Sequence, residues 1–188
     1  MVCYRCGHSS YRYGEIMFYP ANPVKMSVRH PLFDQHNLSS KWIAEPKLHG
    51  IRCLTEHHHN RIDLWTRKLM RISAPSVDLR QQIKDMIPDK TILDGVLIGD
   101  GKFKEHFCVF DIPVFKGETT GHLFERYDLL IQLFKYPSLI SIVRQSINKR
   151  ALFYKSQPYN IILKDMSSYY TINHKSGDSC PGWIEITS

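Results

Sequence analysis

The sequence lacks several features that would assign it to a class at once. No run of about 18 apolar residues occurs along its 188 residues, and the amino terminus has no long apolar segment of the kind found in signal peptides. It contains neither a G-x-x-x-x-G-K-[ST] loop nor a G-x-G-x-x-G loop. These absences predict an intracellular protein without a membrane span, and they argue against the two commonest glycine-rich phosphate-binding loops.

Acidic residues are too few to balance the basic ones. Lys and Arg total 25 against 18 Asp and Glu, which gives a net charge of +7 at neutral pH. A surface of this sign favours phosphate-rich partners such as nucleic acid. With 43% hydrophobic residues the chain can bury a core without disulfides, and its length predicts one domain or one domain with a short appendage.

The chain contains five cysteines, too few and odd in number for a disulfide scaffold. In an intracellular protein these thiols are expected to be reduced. Cys3 and Cys6 form a C-x-x-C that is followed by glycine and His8, which is half of a zinc knuckle. His8 with a distant Cys180 or His174 could complete a Zn²⁺ site. The alternative, which the sequence favours because no second C-x-x-C exists, is a mobile amino-terminal segment with free thiols.

Short β-rich runs dominate the chain after a leader of residues 1–40, which is expected to pack on the main body. The predicted strands cover 42–46, 51–56, 61–66, 91–98 and 106–112, with others near 151–154, 160–164 and 183–187. Ser76 can cap a helix that Pro88 ends, and a second helical stripe stops at Pro137. A further amphipathic stretch occupies 138–149. The order predicts an α+β fold dominated by antiparallel sheet.

One short stretch, EPKLHGIR at 45–52, places a lysine between a proline and a glycine. Gly50 leaves the approach to the Lys47 amine open, and Arg52 alternates onto the same side of the strand as Gly50. Cationic neighbours and desolvation favour the neutral amine of a lysine. The arrangement therefore suits a lysine that attacks phosphorus.

EPKLHGIR resembles motif I of the covalent nucleotidyltransferase superfamily, K-x-D-G with a trailing arginine; the superfamily includes ATP-dependent DNA ligases, RNA ligases and mRNA capping enzymes. Four further blocks follow in the family order. They are LWTRK at 64–68, ILDGVLIG at 92–99, FCVFDIPVFKGE at 107–118 and PGWIEITS at 181–188, which resemble the strand ending in Ser/Thr-Arg and motifs III, IIIa and IV. The resemblance implies the ATP-grasp-like fold of a ligase adenylation domain over residues 41–188, with no OB-fold domain.

The resemblance also implies the site. Lys47 would attack the α-phosphate of ATP in the presence of Mg²⁺ and form a lysyl-nucleoside monophosphate, with GTP as the alternative nucleotide. The implied nucleotide-binding residues are Glu45, Arg52, Arg67, Asp94, Phe110 and Trp183. Arginine forks fit phosphate oxygens, and an aromatic ring offers a stacking plane for the purine, the role that falls to Phe110.

Three positions depart from the family pattern. His49 stands where motif I usually has aspartate, as in the K-x-H-G of RNA ligases of the double-strand-sealing type. Val96 replaces the glutamate of motif III and Pro181 the acid of motif IV, which removes carboxylates that would contact ribose or hold a metal ion. Asp94 lies on the same strand face as Val96 and is the expected stand-in, also as a metal ligand. Glu185 would lie about 13 Å along a straight strand from Pro181, which is too far for it to replace the missing acid.

The pattern leaves three functions open. The first is an ATP-dependent DNA ligase-like adenylyltransferase that passes AMP from Lys47 to the 5′-phosphate of a polynucleotide, which is expected to be DNA rather than RNA. Such an enzyme would act in DNA repair or replication and would suit a phage or virus. Because the family pattern continues with a K-x-K motif V that would follow Ser188, either a protein partner supplies the remaining elements or the activity is lost. The second is a capping-type guanylyltransferase. The third is an inactive ligase-like module that binds nucleic acid or a protein.

Overall fold

The computed structural model describes residues 20, 22–27, 30–31, 39–73, 75–99, 105–136, 138–147, 161–170 and 179–187. The strands are β1 (Asn22–Ser27), β2 (Trp42–Pro46), β3 (Ile51–His58), β4 (Arg61–Thr66), β5 (Thr91–Ile98), β6 (His106–Phe115), β7 (Glu118–Thr119), β8 (Ile140–Ile142), β9 (Ile161–Asp165) and β10 (Ser179–Thr187). The helices are α1 (Val77–Met86) and α2 (Leu123–Leu133). Neither helix of this part of the chain is long and apolar enough to cross a membrane. The predicted α+β fold is confirmed.

Most predicted elements appear where the patterns indicated, and the predicted bounds of 42–46, 61–66 and 91–98 are those of β2, β4 and β5. The amphipathic stretch at 138–149 contributes the short strand β8, which pairs in parallel with β6. The leader contributes β1, which pairs in parallel with β10 and is thus a member of a sheet. The predicted strand at 151–154 and the predicted zinc ligands Cys3, Cys6 and His8 lie outside the described residues.

The strands form two sheets. The small sheet has the order β1-β10-β9-β2, and the large sheet has the order β4-β3-β5-β6-β7 with β8 beside β6. Side chains alternate across the large sheet, as in β3, where Cys53 packs on the helical side and its neighbour Leu54 packs on the side that meets Trp183 of the small sheet. The large sheet is therefore covered by helices on one face and by the small sheet on the other.

The two helices form because their ends are capped and one stripe of each is apolar. Ser76 Oγ accepts a hydrogen bond from the Leu79 amide at 3.2 Å, and the Glu125 side chain accepts one from the His122 amide at 2.8 Å at the start of α2. Leu79 of α1 and Leu130 of α2 are completely buried against the large sheet. The helices thus close the core on the side away from the small sheet.

Residues 47–50 link β2 of the small sheet to β3 of the large one, so the lysine of the EPKLHGIR stretch lies where the sheets meet. Gly50 makes this crossing possible, since it has a φ of +157° and passes close to β5. A Cβ atom at residue 50 would lie 2.5 Å from the Leu97 carbonyl oxygen and 2.6 Å from Val96 Cγ1. Only glycine lets the link run this near the large sheet.

Two buried acids lie opposite each other on neighbouring strands of the large sheet, since Asp94 of β5 pairs with Asp111 of β6. Each is held by its own arginine. Arg52 donates to both oxygens of Asp94 at 3.1 and 2.6 Å, and Arg126 donates to both oxygens of Asp111 at 2.6 and 3.2 Å. Burial by itself would raise the pKa of Asp111, but the charges of Arg126 and Lys164 outweigh it and hold that pKa below its usual range.

The thiol of Cys53 is expected to resist alkylation in the folded chain. Cys53 is completely buried in β3, and burial raises the pKa of its thiol to about 12. Only the thiolate reacts, and its fraction at neutral pH falls on the order of a thousandfold relative to an ordinary thiol. Iodoacetamide treatment followed by peptide mapping should leave Cys53 unmodified until denaturant is added. Equal rates of modification in the folded and denatured chain would contradict this burial.

Candidate active site

A cavity of about 350 Å³ opens where the two sheets meet. Six residues that the sequence predicted for the site line it, namely Lys47, Glu45, Arg52, Arg67, Phe110 and Trp183. They come from β2, the 47–50 link, β3, β6, β10 and the turn after β4, so residues scattered over the chain converge on one space. Asp94 does not line the cavity.

Lys47 contacts Glu185, a carboxylate that the sequence reasoning had not placed beside it. Its Nζ donates a hydrogen bond to Glu185 Oε1 at 2.7 Å. The Lys47 side chain is 37% exposed and that of Glu185 is 9% exposed. The sequence reasoning considered only the distance of Glu185 from Pro181 along the strand, and that distance does not measure how far Glu185 lies from Lys47. The link after β2 brings the lysine to Glu185 across the small sheet.

Lys164 of β9 is a cavity residue that the sequence reasoning missed. Its side chain is 1% exposed, and its Nζ lies 3.0 and 2.9 Å from the two oxygens of Glu45 and 3.2 Å from the Phe110 carbonyl oxygen. Gln145 Nε2 donates to the same Glu45 carboxylate at 2.7 Å. Burial raises the pKa of Glu45, and the charge of Lys164 only partly offsets it. Glu45 is therefore held by two partners within the protein. The one available signal was a lysine inside the apolar run IILKD.

Two aromatic rings form one wall of the cavity. The rings of Phe110 and Trp183 meet edge to face, with centroids 5.9 Å apart. The Arg52 guanidinium lies 5.1 Å from the Phe110 centroid, and Lys164 Nζ lies 4.2 Å from that of Trp183. Such contacts orient cations over ring faces. Since Trp183 is only 2% exposed and Phe110 is partly exposed, Phe110 is the ring that can offer a face to a ligand.

The prediction that Asp94 contacts the nucleotide or a metal ion is corrected by its surroundings. Asp94 is completely buried, and besides both bonds from Arg52 it accepts a hydrogen bond from the Tyr170 hydroxyl at 2.5 Å. Burial by itself would lower the pKa of Arg52, but the Asp94 charge outweighs it and raises that pKa, so the guanidinium keeps its charge. Asp94 therefore positions Arg52 from the buried side of the guanidinium. Val96 itself lines the cavity and packs on Gly50.

The cavity carries an excess of positive charge. Its cationic side chains are Lys25, Lys47, Arg52, Arg67 and Lys164, and its acidic ones are Glu45 and Glu185. Five cations against two acids leave three positive charges in excess. A concave site of this sign attracts phosphate groups. Lys25 comes from β1, in the leader, where the sequence gave no reason to expect a site residue.

The fold and the cavity together define an α+β domain with a lysine at the mouth of a cationic, aromatic-walled site between two sheets. This is the nucleotidyltransferase fold of ATP-dependent DNA ligases. The chain superposes on mycobacterial DNA ligase D, solved in complex with ATP and MES, with a TM-score of 0.68 and 19% identity over 90% of this chain and 60% of that chain. For the ATP-dependent DNA ligase of bacteriophage T7, solved with ATP, the TM-score is 0.59 at 15% identity over 89% of this chain and 68% of that chain.

A curated relative agrees with the structural matches. The chain is 28% identical over 185 residues to the SPbeta prophage-derived DNA ligase-like protein LigB of Bacillus subtilis (strain 168), which covers 85% of this chain and 64% of the relative. The chain thus spans less than two thirds of the length of this relative and of ligase D. No protein-family model matches it. The fold that the sequence resemblance to the covalent nucleotidyltransferase superfamily implied is confirmed.

Proposed function

We propose that this chain is the adenylyltransferase domain of a DNA ligase-like protein. In this proposal Lys47 attacks the α-phosphate of ATP, and the AMP passes from the lysine to the 5′-phosphate of a polynucleotide, DNA rather than RNA. The observation that carries the proposal is the position of Lys47 Nζ at the mouth of a cavity with three excess positive charges. The prophage-derived relative supports a phage or viral setting.

In this proposal different cavity residues bind the base and the phosphates of the nucleotide. Phe110 would stack on the purine, with Trp183 behind it, while the fork of Arg67 and the N–H groups of Arg52 that Asp94 leaves unused would hold phosphate oxygens. Arg52 suits this role because Asp94 fixes the guanidinium from the buried side. Preorganised cations cost no reorganisation when charge develops at phosphorus.

A magnesium ion fits this site only as a companion of the nucleotide. Both acids that line the cavity already contact lysines, and the described residues contain no group of three or more His, Cys, Asp or Glu that could hold a metal ion. Mg²⁺ commonly binds through substrate phosphates with one or two protein carboxylates, so a protein cage is not required. Bound in this way, the ion would neutralise charge on the triphosphate.

The proposal is tested by incubating the purified chain with α-labelled ATP or GTP and a divalent cation and then denaturing it. Retained label from ATP supports the adenylyltransferase, and a preference for GTP would instead support the capping-type guanylyltransferase. A complete ligation, tested with nicked DNA and nicked RNA, would also show whether a partner protein is needed.

A second candidate function is an inactive ligase-like module that binds nucleic acid or a protein. It is favoured by Val96 and Pro181, which stand where the family pattern has acids and which offer no carboxylate. Absence of label from either nucleotide with any divalent cation, together with retained binding of DNA, would support this candidate over the first.

Replacing Phe110 with alanine is expected to weaken ATP binding about tenfold or more. A base stacked on an aromatic side chain contributes roughly 1 to 3 kcal/mol, and 1.4 kcal/mol corresponds to a factor of ten. Equilibrium binding of labelled ATP measures the effect. Phe124→Ala serves as the matched control, because this phenylalanine of α2 is 51% exposed and does not line the cavity. Equal affinities of the two variants for ATP would contradict the assignment of Phe110 to the nucleotide-binding site.

A further inference from the structure

Glu185 is the only side chain in the described part of the chain for which a hydrogen bond from Lys47 Nζ is seen, at 2.7 Å. Strand pairing fixes it from both sides, since β10 runs between β1 and β9. Lys25 lies opposite Glu185 on β1, and the apolar Ile162 lies opposite on β9. The carboxylate is therefore a rigid, nearly buried group, while the lysine it contacts stands at the open side of the cavity.

An ammonium group has no lone pair, so a lysine must lose a proton before its nitrogen can bond to phosphorus. A general base has to lie within about 2.6 to 3.2 Å of the group that it deprotonates. Of the two carboxylates that line the cavity, Glu45 is bonded to Lys164 and Gln145. Glu185 is the one within reach of the nucleophile.

We propose that Glu185 is the proton acceptor for Lys47 during nucleotidyl transfer. This inference rests on the proposed function and adds a catalytic residue to it. Lys47 Nζ first gives one proton to a Glu185 oxygen, and the lone pair of the resulting neutral amine forms the N–P bond as the bond from the α-phosphorus to the bridging oxygen breaks. The nitrogen then loses a second proton to solvent, which leaves a neutral phosphoramidate nitrogen. Pyrophosphate leaves with that electron pair, and the proton on Glu185 returns to solvent or to the pyrophosphate.

The burial of Glu185 favours this transfer once a nucleotide is seated. An ion pair loses hydration when it is enclosed, whereas a neutral amine beside a carboxylic acid loses much less. A nucleotide in the cavity would cover the exposed side of Lys47 and so favour the neutral pair. Among the described residues, Glu185 shares the cavity with Lys47 on the link and Lys25 opposite it on β1. The other charged residues that line the cavity are Glu45, Arg52, Arg67 and Lys164.

The test compares Glu185→Gln and Glu185→Asp with the unaltered chain. Glutamine keeps the shape and a hydrogen bond but cannot take the proton, so the rate of covalent labelling from ATP should fall about 10²-fold or more, with the KM for ATP changed far less. Aspartate keeps the carboxylate and should recover part of the rate. Glu118→Gln, an exposed glutamate of β7 outside the cavity, should label like the unaltered chain.

Thermal melting separates this role from a structural one. The Glu185→Gln variant should melt at the temperature of the unaltered chain while its labelling rate falls. A Glu185→Gln variant that labels as fast as the unaltered chain, or faster, overturns the inference and leaves the proposed function intact. Absence of label in the unaltered chain overturns the proposed function itself, and with it this inference.

Discussion

Replacing Lys47 with arginine is expected to abolish covalent labelling by ATP while nucleotide binding survives. Arginine keeps the positive charge and can still pair with Glu185, but its delocalised guanidinium stays protonated and does not act as a nucleophile. Loss of an enzyme nucleophile typically costs far more than a thousandfold in rate, so we expect a fall of at least about 10³-fold. Label retained after denaturation measures the covalent step, and equilibrium binding of ATP measures whether nucleotide binding survives.

Lys68→Arg is the matched control for this substitution. Lys68 is an exposed lysine in the turn after β4 and does not line the cavity, so its variant should label normally. Covalent labelling of Lys47→Arg at the rate of the control would contradict the assignment of Lys47 as the nucleophile. Loss of binding together with labelling would mean that the amine of Lys47 also anchors the ground-state nucleotide.

Replacing Arg126 with methionine is expected to destabilise the fold by about 3 to 5 kcal/mol, since it leaves Asp111 buried without its main partner. Both side chains are completely buried, and Arg126 also donates to the carbonyl oxygens of Gly121 and Ser168 at 2.7 and 2.9 Å. At this chain length each kcal/mol shifts the melting temperature by roughly 2 to 4 °C. Calorimetry and urea denaturation measure the loss.

Two further variants sharpen this prediction. Arg144→Met replaces an exposed arginine and should change stability by less than about 0.5 kcal/mol. Adding Asp111→Leu to Arg126→Met removes the uncompensated charge and should recover part of the lost stability. A cost below about 1 kcal/mol for Arg126→Met would contradict the account of the buried pair.

The same pair predicts a dependence of stability on pH. Because the folded pKa of Asp111 lies below its unfolded value, the pair contributes stability that is fully present above the unfolded aspartate pKa of about 3.9. That contribution is lost as the pH falls through the folded pKa. The difference in unfolding free energy between the unaltered chain and Arg126→Met should therefore be greatest above about pH 4 and shrink in more acidic solution.

Local patterns predicted much of the fold because each element carries its own signal. Alternation marked β4, a short β-rich run marked β5, and the Ser76 cap with Pro88 bounded the first helix. The parallel pairings were not predictable in this way, since β8 beside β6 and β1 beside β10 join segments that are distant along the chain. The three residues of β8 are too few to show a period, so the sequence does not indicate that they pair with β6.

The candidate site was predictable where motif residues are contiguous and was missed where strands from distant segments meet. Lys47 and Arg52 were found from one stretch, whereas Lys164 and Glu185 enter the cavity through the pairing of β9 with β2 and β10. The straight-strand argument asked only whether Glu185 could replace the acid missing at Pro181, so it could not place Glu185 beside Lys47. The same reasoning misplaced Asp94, which shares a strand face with Val96 but lies beneath Arg52.

The most direct test of the central claim is mass spectrometry of the intact chain after incubation with ATP and Mg²⁺, followed by peptide mapping. The account predicts a single adenylyl adduct, located on Lys47 and removed by added pyrophosphate. An unmodified chain under conditions where ATP is bound, or an adduct on another lysine, would contradict it.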